Sequence, residues 1–155
     1  MFELLEIRNN AGQGFYNASS HVTLKNSTVR NNGAGVDVRG AATIAGVQIY
    51  DNAGGGINST SSLSLDNSSV YRNAEGVAIA NGQITNSRIF ANAGAGIRAP
   101  TSPITVSNNA IYSNQYGILA SPFAGNSVFT IANNLIYAND VAGIRLGHVS
   151  PSAYE

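Results

Sequence analysis

Apolar residues recur along this chain in short alternating runs rather than in helical stripes. One unit reads Ile104-Thr-Val106, then Ala-Ile111-Tyr, then Gly117-Ile118-Leu, with polar residues between the runs. Alternation over three or four residues, carried by β-branched side chains and bounded by Asn and Gly, predicts strands. The recurring glycines and the lack of any sustained 3.6-residue period exclude helices. The unit repeats. With Ile7, Val29, Ile49, Val70, Ile89, Ile111 and Ile136 as anchors, successive spacings are 22, 20, 21, 19, 22 and 25 residues. The third residue after every anchor is asparagine: Asn10, Asn32, Asn52, Asn73, Asn92, Asn114 and Asn139. The third residue before gives Asn26, Asn67, Asn86, Asn108 and Asn133, failing only at Gly46 and at Leu4. Six or seven residues after each anchor comes a glycine followed by an apolar residue, from Gly14-Phe15 to Gly143-Ile144.

Strands this short bury nothing as hairpins, and a unit of about 21 residues has no core of its own. Stacking solves both problems. If each unit is one turn of a coil, every strand pairs in parallel with its copies above and below at ~4.8 Å, and about seven coils make a rod of roughly 34 Å. Asparagine tolerates left-handed backbone, and its amide bonds to neighbouring turns. Both asparagine columns are therefore read as structural ladders at tight, inaccessible corners.

The run Ile104-Thr-Val-Ser-Asn-Asn-Ala-Ile-Tyr-Ser-Asn-Gln-Tyr-Gly-Ile118 resembles the repeat of right-handed parallel β-helix proteins of the pectin-lyase-like kind. These include pectate lyases, polygalacturonases, alginate epimerases and NosD-like periplasmic proteins. The resemblance spans about residues 7–146, and the matching residues are those that build the coil. It implies an all-β, right-handed parallel β-helix solenoid with three short strands per coil. No hexapeptide period of the left-handed kind is present. The expected organisation is a single domain, 1–155, with 1–6 as an N-terminal cap or extra strand, 7–146 as coils and 147–155 as a tail. By resemblance only, an extracellular or periplasmic setting and a polysaccharide partner are implied.

Composition removes several functions. Asparagine makes up 20 of 155 residues, while charged residues are only 10% and balance to zero net charge. That leaves no field for nucleic acid or an anionic membrane. The absence of cysteine excludes thiolate chemistry and Cys-based zinc sites. No apolar run approaches the ~20 residues of a membrane span.

With anchors pointing inward, the residues after them point out: Arg8, Arg30, Tyr50, Tyr71, Phe90, Tyr112 and Tyr137. Rings at ~4.8 Å spacing either stack on sugar faces or stack on one another as a ladder that stabilises the sheet. In the first case Tyr50, Tyr71, Phe90, Tyr112 and Tyr137 are the ligand-binding candidates, flanked by Gln48, Ser69 and Arg88. A second outward column, Thr23, Thr43, Ser64, Gln83, Thr105 and Thr130, is polar and matches an ice-binding threonine rank poorly. It is read as ordinary solvated strand.

Enzymes of the resembled family use clustered acids, as calcium ligands or as paired catalytic carboxylates. Here Asp37, Asp51, Asp66, Asp140 and Glu75 occupy five different repeat positions, so no catalytic or metal cluster, and no cofactor, is expected. Asp51 and Arg72 fall opposite each other as an exposed ion pair. His21 and His148 lie far apart. The sequons at Asn17, Asn26, Asn58 and Asn67 are read as coincidence, because Asn26 and Asn67 belong to a corner. The variable connections, Pro100–Pro103 and Ala120–Ser127, are too short to wall a deep groove.

Neither end carries an evident cap, so two expectations stand: the chain is a piece of a longer β-helix protein, or it self-associates through a terminal coil, as a closed homodimer or a head-to-tail stack. Three readings follow: a non-catalytic module for polysaccharide or assembly, a polysaccharide lyase, hydrolase or epimerase with an atypical site, and a purely structural self-associating solenoid. The first is preferred.

Overall fold

The computed structural model describes residues 1–18, 20–100, 103–121 and 128–147. Within them the chain is a parallel β-solenoid. The anchor segments form one seven-stranded parallel sheet: Glu6–Arg8, Thr28–Arg30, Gln48–Tyr50, Ser69–Tyr71, Arg88–Phe90, Ala110–Tyr112 and Leu135–Tyr137. The anchors themselves register Ile7↔Val29, Val29↔Ile49, Val70↔Ile49, Val70↔Ile89, Ile89↔Ile111 and Ile111↔Ile136. The glycine-led segments stack as a second track, from Gln13–Asn17 to Ala142–Leu146, and the segments before each anchor as a third, from Phe2–Glu3 to Phe129–Ala132.

Alternation along these strands fills the interior. Val29, Ile49, Val70, Ile89 and Ile111 are fully buried, as are Ile57, Val77 and Ile97 from the second track and Leu65 and Ile84 from the third. Burying a Val, Leu or Ile side chain is worth ~1.5–3 kcal/mol, and nearly every coil contributes one such residue from each wall.

Two pairs of the expected short strands are fused. Gly55–Asp66 and Glu75–Thr85 each run unbroken from the second track into the third, joining the two tracks into one twelve-stranded sheet. Their linkers, Ser59–Ser62 and Ile79–Asn81, pair with each other and absorb the bend as a register shift. Gly82, at φ +119°, lies against the neighbouring coil so closely that a Cβ would sit 2.0 Å from the Leu63 carbonyl oxygen.

The glycine column has a packing cause. A Cβ on Gly35 or Gly76 would stand 2.2 Å from the carbonyl oxygen of Gly56 or Gly96, one coil further on. The following coil, rather than the glycine's own, excludes a side chain there.

At the corners the two asparagine columns divide the work. After each anchor, the left-handed residue is Asn9, Asn31, Asp51, Arg72, Ala91, Ser113 or Ala138, and the asparagine that follows turns inward. Asn52, Asn73, Asn92 and Asn114 are at most 3% exposed. Each donates its backbone N–H and Nδ2 to the Oδ1 of the next, as in Asn73 to Asn92 at 3.1 and 3.2 Å. The same pattern runs from Asn10 through Asn32 to Asn139.

Before each anchor the roles are reversed. Asn26, Asn67, Asn86, Asn108 and Asn133 hold left-handed φ of 43° to 59°, and their side chains are exposed. Asn26 and Asn86 reach only the carboxylates of Glu3 and Asp66 on an adjacent coil. The expectation that this column is an inaccessible ladder is thus corrected. The inward rung is the next residue, buried at Ser27, Ser68, Ser87 and Asn109 and half-buried at Asn134, with Ser68 and Asn109 accepting the N–H of Val47 and Ser87. The left-handed residue makes the turn, and only the residue after it faces the interior.

Candidate functional site

The outward residues of the anchor sheet form the expected column. Tyr50, Tyr71, Phe90, Tyr112 and Tyr137 lie at centroid separations of 4.7–4.9 Å with interplanar angles of 5–13°. Strand spacing sets that distance, and it falls within the ~4.5–7 Å range of aromatic pairs. The rings therefore cover one another's faces. The inner rings present edges to solvent, and a sugar cannot lie flat on Tyr71, Phe90 or Tyr112. Tyr137, 47% exposed, has no ring among the described residues on its far face.

Gln48 and Arg88 are exposed and flank the column in one register with Ser69. Arg88 makes no ion pair among the described residues, whereas the other arginines are engaged. Arg72 donates to both oxygens of Asp51 at 2.7 Å, one coil below, as its repeat position implies. Its guanidinium also lies 4.9 Å from the Tyr71 ring centre and 5.5 Å from that of Tyr50. Glu6 binds Arg30 and Arg8, and Asp37 meets Arg39. Glu75 holds Arg98, a pair the repeat offsets did not reveal because the two residues occupy different positions in their units. Arg145 bonds the Tyr116 hydroxyl and lies over its ring.

Electrostatic shifts follow these pairs. The hydrogen-bonded Arg72 guanidinium holds the Asp51 carboxyl below the ordinary carboxylate range. Hydrogen bonds from Thr85 and then Asn86 do the same for Asp66. Burial, aided by Tyr50, pushes the Tyr71 phenol up. Each shift favours the form already present at neutral pH, the reverse of what a general acid or base needs. Among the described residues no group of three His, Asp or Glu side chains could hold a metal. His148 and most of the 120–127 connection lie outside the described residues.

The polar column is in register, with Thr43↔Ser64, Gln83↔Ser64 and Gln83↔Thr105. It borders an open groove of about 390 Å³ lined by Ser62, Ser64, Asn81, Gln83, Pro103 and Thr105. Sequence reasoning did not place a groove there, because it arises where the two fused strands bend. Asn26 and Asn67, taken as inaccessible sequon positions, are exposed.

The ends of the rod are the other distinctive surface. At one, Met1, Phe2, Leu4 and Leu5 are 37–81% exposed, although Phe2–Glu3 pairs with Val22–Lys25 and Phe2 packs edge-on against Phe15. At the other, Leu135, Val141, Ile144 and Leu146 are 46–63% exposed.

Parallel strands in three tracks, a buried asparagine ladder and no helix among the described residues define a β-helix protein. The family model described as right handed beta helix region matches residues 2–127, and the chain belongs to that family. The solenoid is accordingly right-handed. No curated protein sequence matches the chain.

Proposed function

We propose that this chain is a non-catalytic β-helix module that serves as an assembly element. The observation that carries the reading is the set of large apolar side chains left exposed, among the described residues, on both terminal coils, a surface that solenoids normally cover. The pairing of Glu6, Asp37, Asp51 and Glu75 with arginines, rather than with each other, supports the non-catalytic part. Sedimentation velocity across a concentration series tests it: the weight-average mass rises above the 16.0 kDa of one chain as concentration increases. A constant monomer mass refutes it.

A second reading keeps a polysaccharide on the anchor sheet. It is favoured by Arg88, which stands unpaired among the described residues, and by a row of phenol edges beside it. A glycan contacts these as hydrogen-bond partners along the column and stacks only at Tyr137. A glycan array tests this reading, with Arg88→Ala and Tyr112→Phe expected to abolish any signal. Absorbance gain on pectin or alginate with calcium would instead establish lyase activity and overturn the non-catalytic assignment.

A further inference from the structure

The two ends of the rod are complementary to each other, and we infer that copies of this chain stack head-to-tail, the last coil of one continuing into the first coil of the next. This rests on the assembly reading and names its partner, orientation and register.

The register comes from the strands. Following the ladders through the molecule, Ile131 belongs to the column that begins at Phe2, Ile136 to that of Ile7, and Leu146 to that of Asn17. Placing the last coil on the first of a second copy sets residues Ile131 to Leu146 against Phe2 to Asn17 in one uninterrupted alignment. The corners coincide as well. Asn133 would lie over Leu4 and Ala138 over Asn9, and all four are left-handed. No bulge or insertion is needed anywhere along the interface.

The hydrogen bonds of the asparagine ladder after the anchors are complementary in sense, whereas at the other corner Asn134 would meet Leu5, which offers its N–H no side-chain acceptor. Inside the rod each ladder asparagine donates its N–H and Nδ2 to the Oδ1 of the next coil. Asn10 donates to Asn32 in this way, but no described residue donates to the Oδ1 of Asn10. Asn139 accepts from Asn114, but its backbone N–H meets no acceptor among the described residues. One end lacks a donor and the other an acceptor. Only a head-to-tail arrangement joins them; head-to-head and tail-to-tail contacts would set like against like.

Side chains agree. Tyr137 would receive Arg8 on its open ring face, Leu135 would cover the stem of Glu6, and Ile144 would meet Phe15. No two like charges oppose each other along the alignment. Gly143 agrees with the same arrangement. Interior glycines of its column are excluded from bearing a Cβ by the following coil, whereas a Cβ on Gly143 meets only its own coil, at 3.3 Å from Ile136. In the stack it faces Gly14, and the close approach that governs Gly117 and Gly143 is reproduced.

The chain has no cysteine, so an engineered pair reports the register directly. Glu6→Cys and Leu135→Cys would be facing residues across the junction. Under mild oxidation the double variant gives a ladder of bands at multiples of 16.0 kDa, and a mixture of the two single variants gives one cross-linked dimer. Each single variant alone stays monomeric on a non-reducing gel. Circular dichroism confirms that each variant remains β-structured, and Arg8→Cys with Leu135→Cys, two residues out of register, gives a weaker ladder. Dimers from either single variant would overturn the inference in favour of a closed symmetric pair. A mass that grows with concentration without the double-variant ladder would overturn it while leaving the assembly reading intact. A wild-type chain that stays monomeric throughout would refute both.

Discussion

Replacing Asn73 by alanine tests whether the asparagine ladder carries the coil. The Asn73 amide donates to the carbonyls of Ile49 and Tyr71 at 3.2 and 3.1 Å and to Asn92 Oδ1 at 3.2 Å. Its own oxygen accepts the N–H and Nδ2 of Asn52 at 3.1 and 3.0 Å. The side chain is buried and its backbone is not left-handed, so alanine imposes no conformational strain and the effect is that of the amide alone. Most partners keep a second bond. The exception is the Asn52 backbone N–H, which is orphaned in a buried site at a cost of ~1–3 kcal/mol, and the lost bonds bring the total to about 3–5 kcal/mol. Asn10 provides the internal control. Its Nδ2 donates only to Asn32 and to the Arg8 carbonyl, in an exposed coil, and its Oδ1 receives no described donor. Asn10→Ala should cost under ~1 kcal/mol. Urea unfolding followed by circular dichroism measures both. Equal midpoints for the two variants would refute the ladder as a stabilising element and leave it a consequence of stacking.

Asn67→Val should destabilise by about 1–2 kcal/mol, because a β-branched residue resists the left-handed corner. Asn67→Gly should be close to neutral, and a loss of similar size for both would place the effect in the side chain instead. Tyr71→Ala removes two ring contacts, each worth ~0.5–1.5 kcal/mol beyond area burial, so it should lower the urea midpoint more than Tyr137→Ala, which removes one. Gly76→Ala forces a methyl against the Gly96 carbonyl oxygen and should cost about 1–3 kcal/mol, whereas Gly12→Ala, with open space around it, should cost little. Asp51 and Asp66 both ionise more readily when folded, so their contribution is intact above the unfolded carboxylate value of ~3.9 and is lost as pH falls through the lower folded values. Thermal midpoints measured from pH 7 to 2 should drop below about pH 4, and Asp51→Asn with Asp66→Asn should flatten that drop.

The repeat made the coil legible because a solenoid is nearly one-dimensional: whatever recurs at a fixed offset must stack on its own copies. On that basis alone the anchors fall in one buried column, the tyrosines in one outward column, and Asp51 opposite Arg72. The fused strands Gly55–Asp66 and Glu75–Thr85 were not legible, since their linkers carry no turn signal different from those of other coils. Nor was the groove beside Gln83, which those linkers create.

Period therefore determined which residues share a column, but not what a column does. Either asparagine of a corner could in principle have been the buried one. Backbone dihedrals decided it, giving the left-handed turn to one position and the interior to the next. The aromatic column was equally ambiguous as a string of letters, and what the tertiary structure added is that each ring lies within stacking distance of its neighbour. Glu75 and Arg98, at different repeat positions, met only because their side chains lean across coils. The match between the Asn10 and Asn139 ends likewise belongs to the tertiary structure, because the direction in which the ladder donates is a property of folded amides and not of the spacing between asparagines.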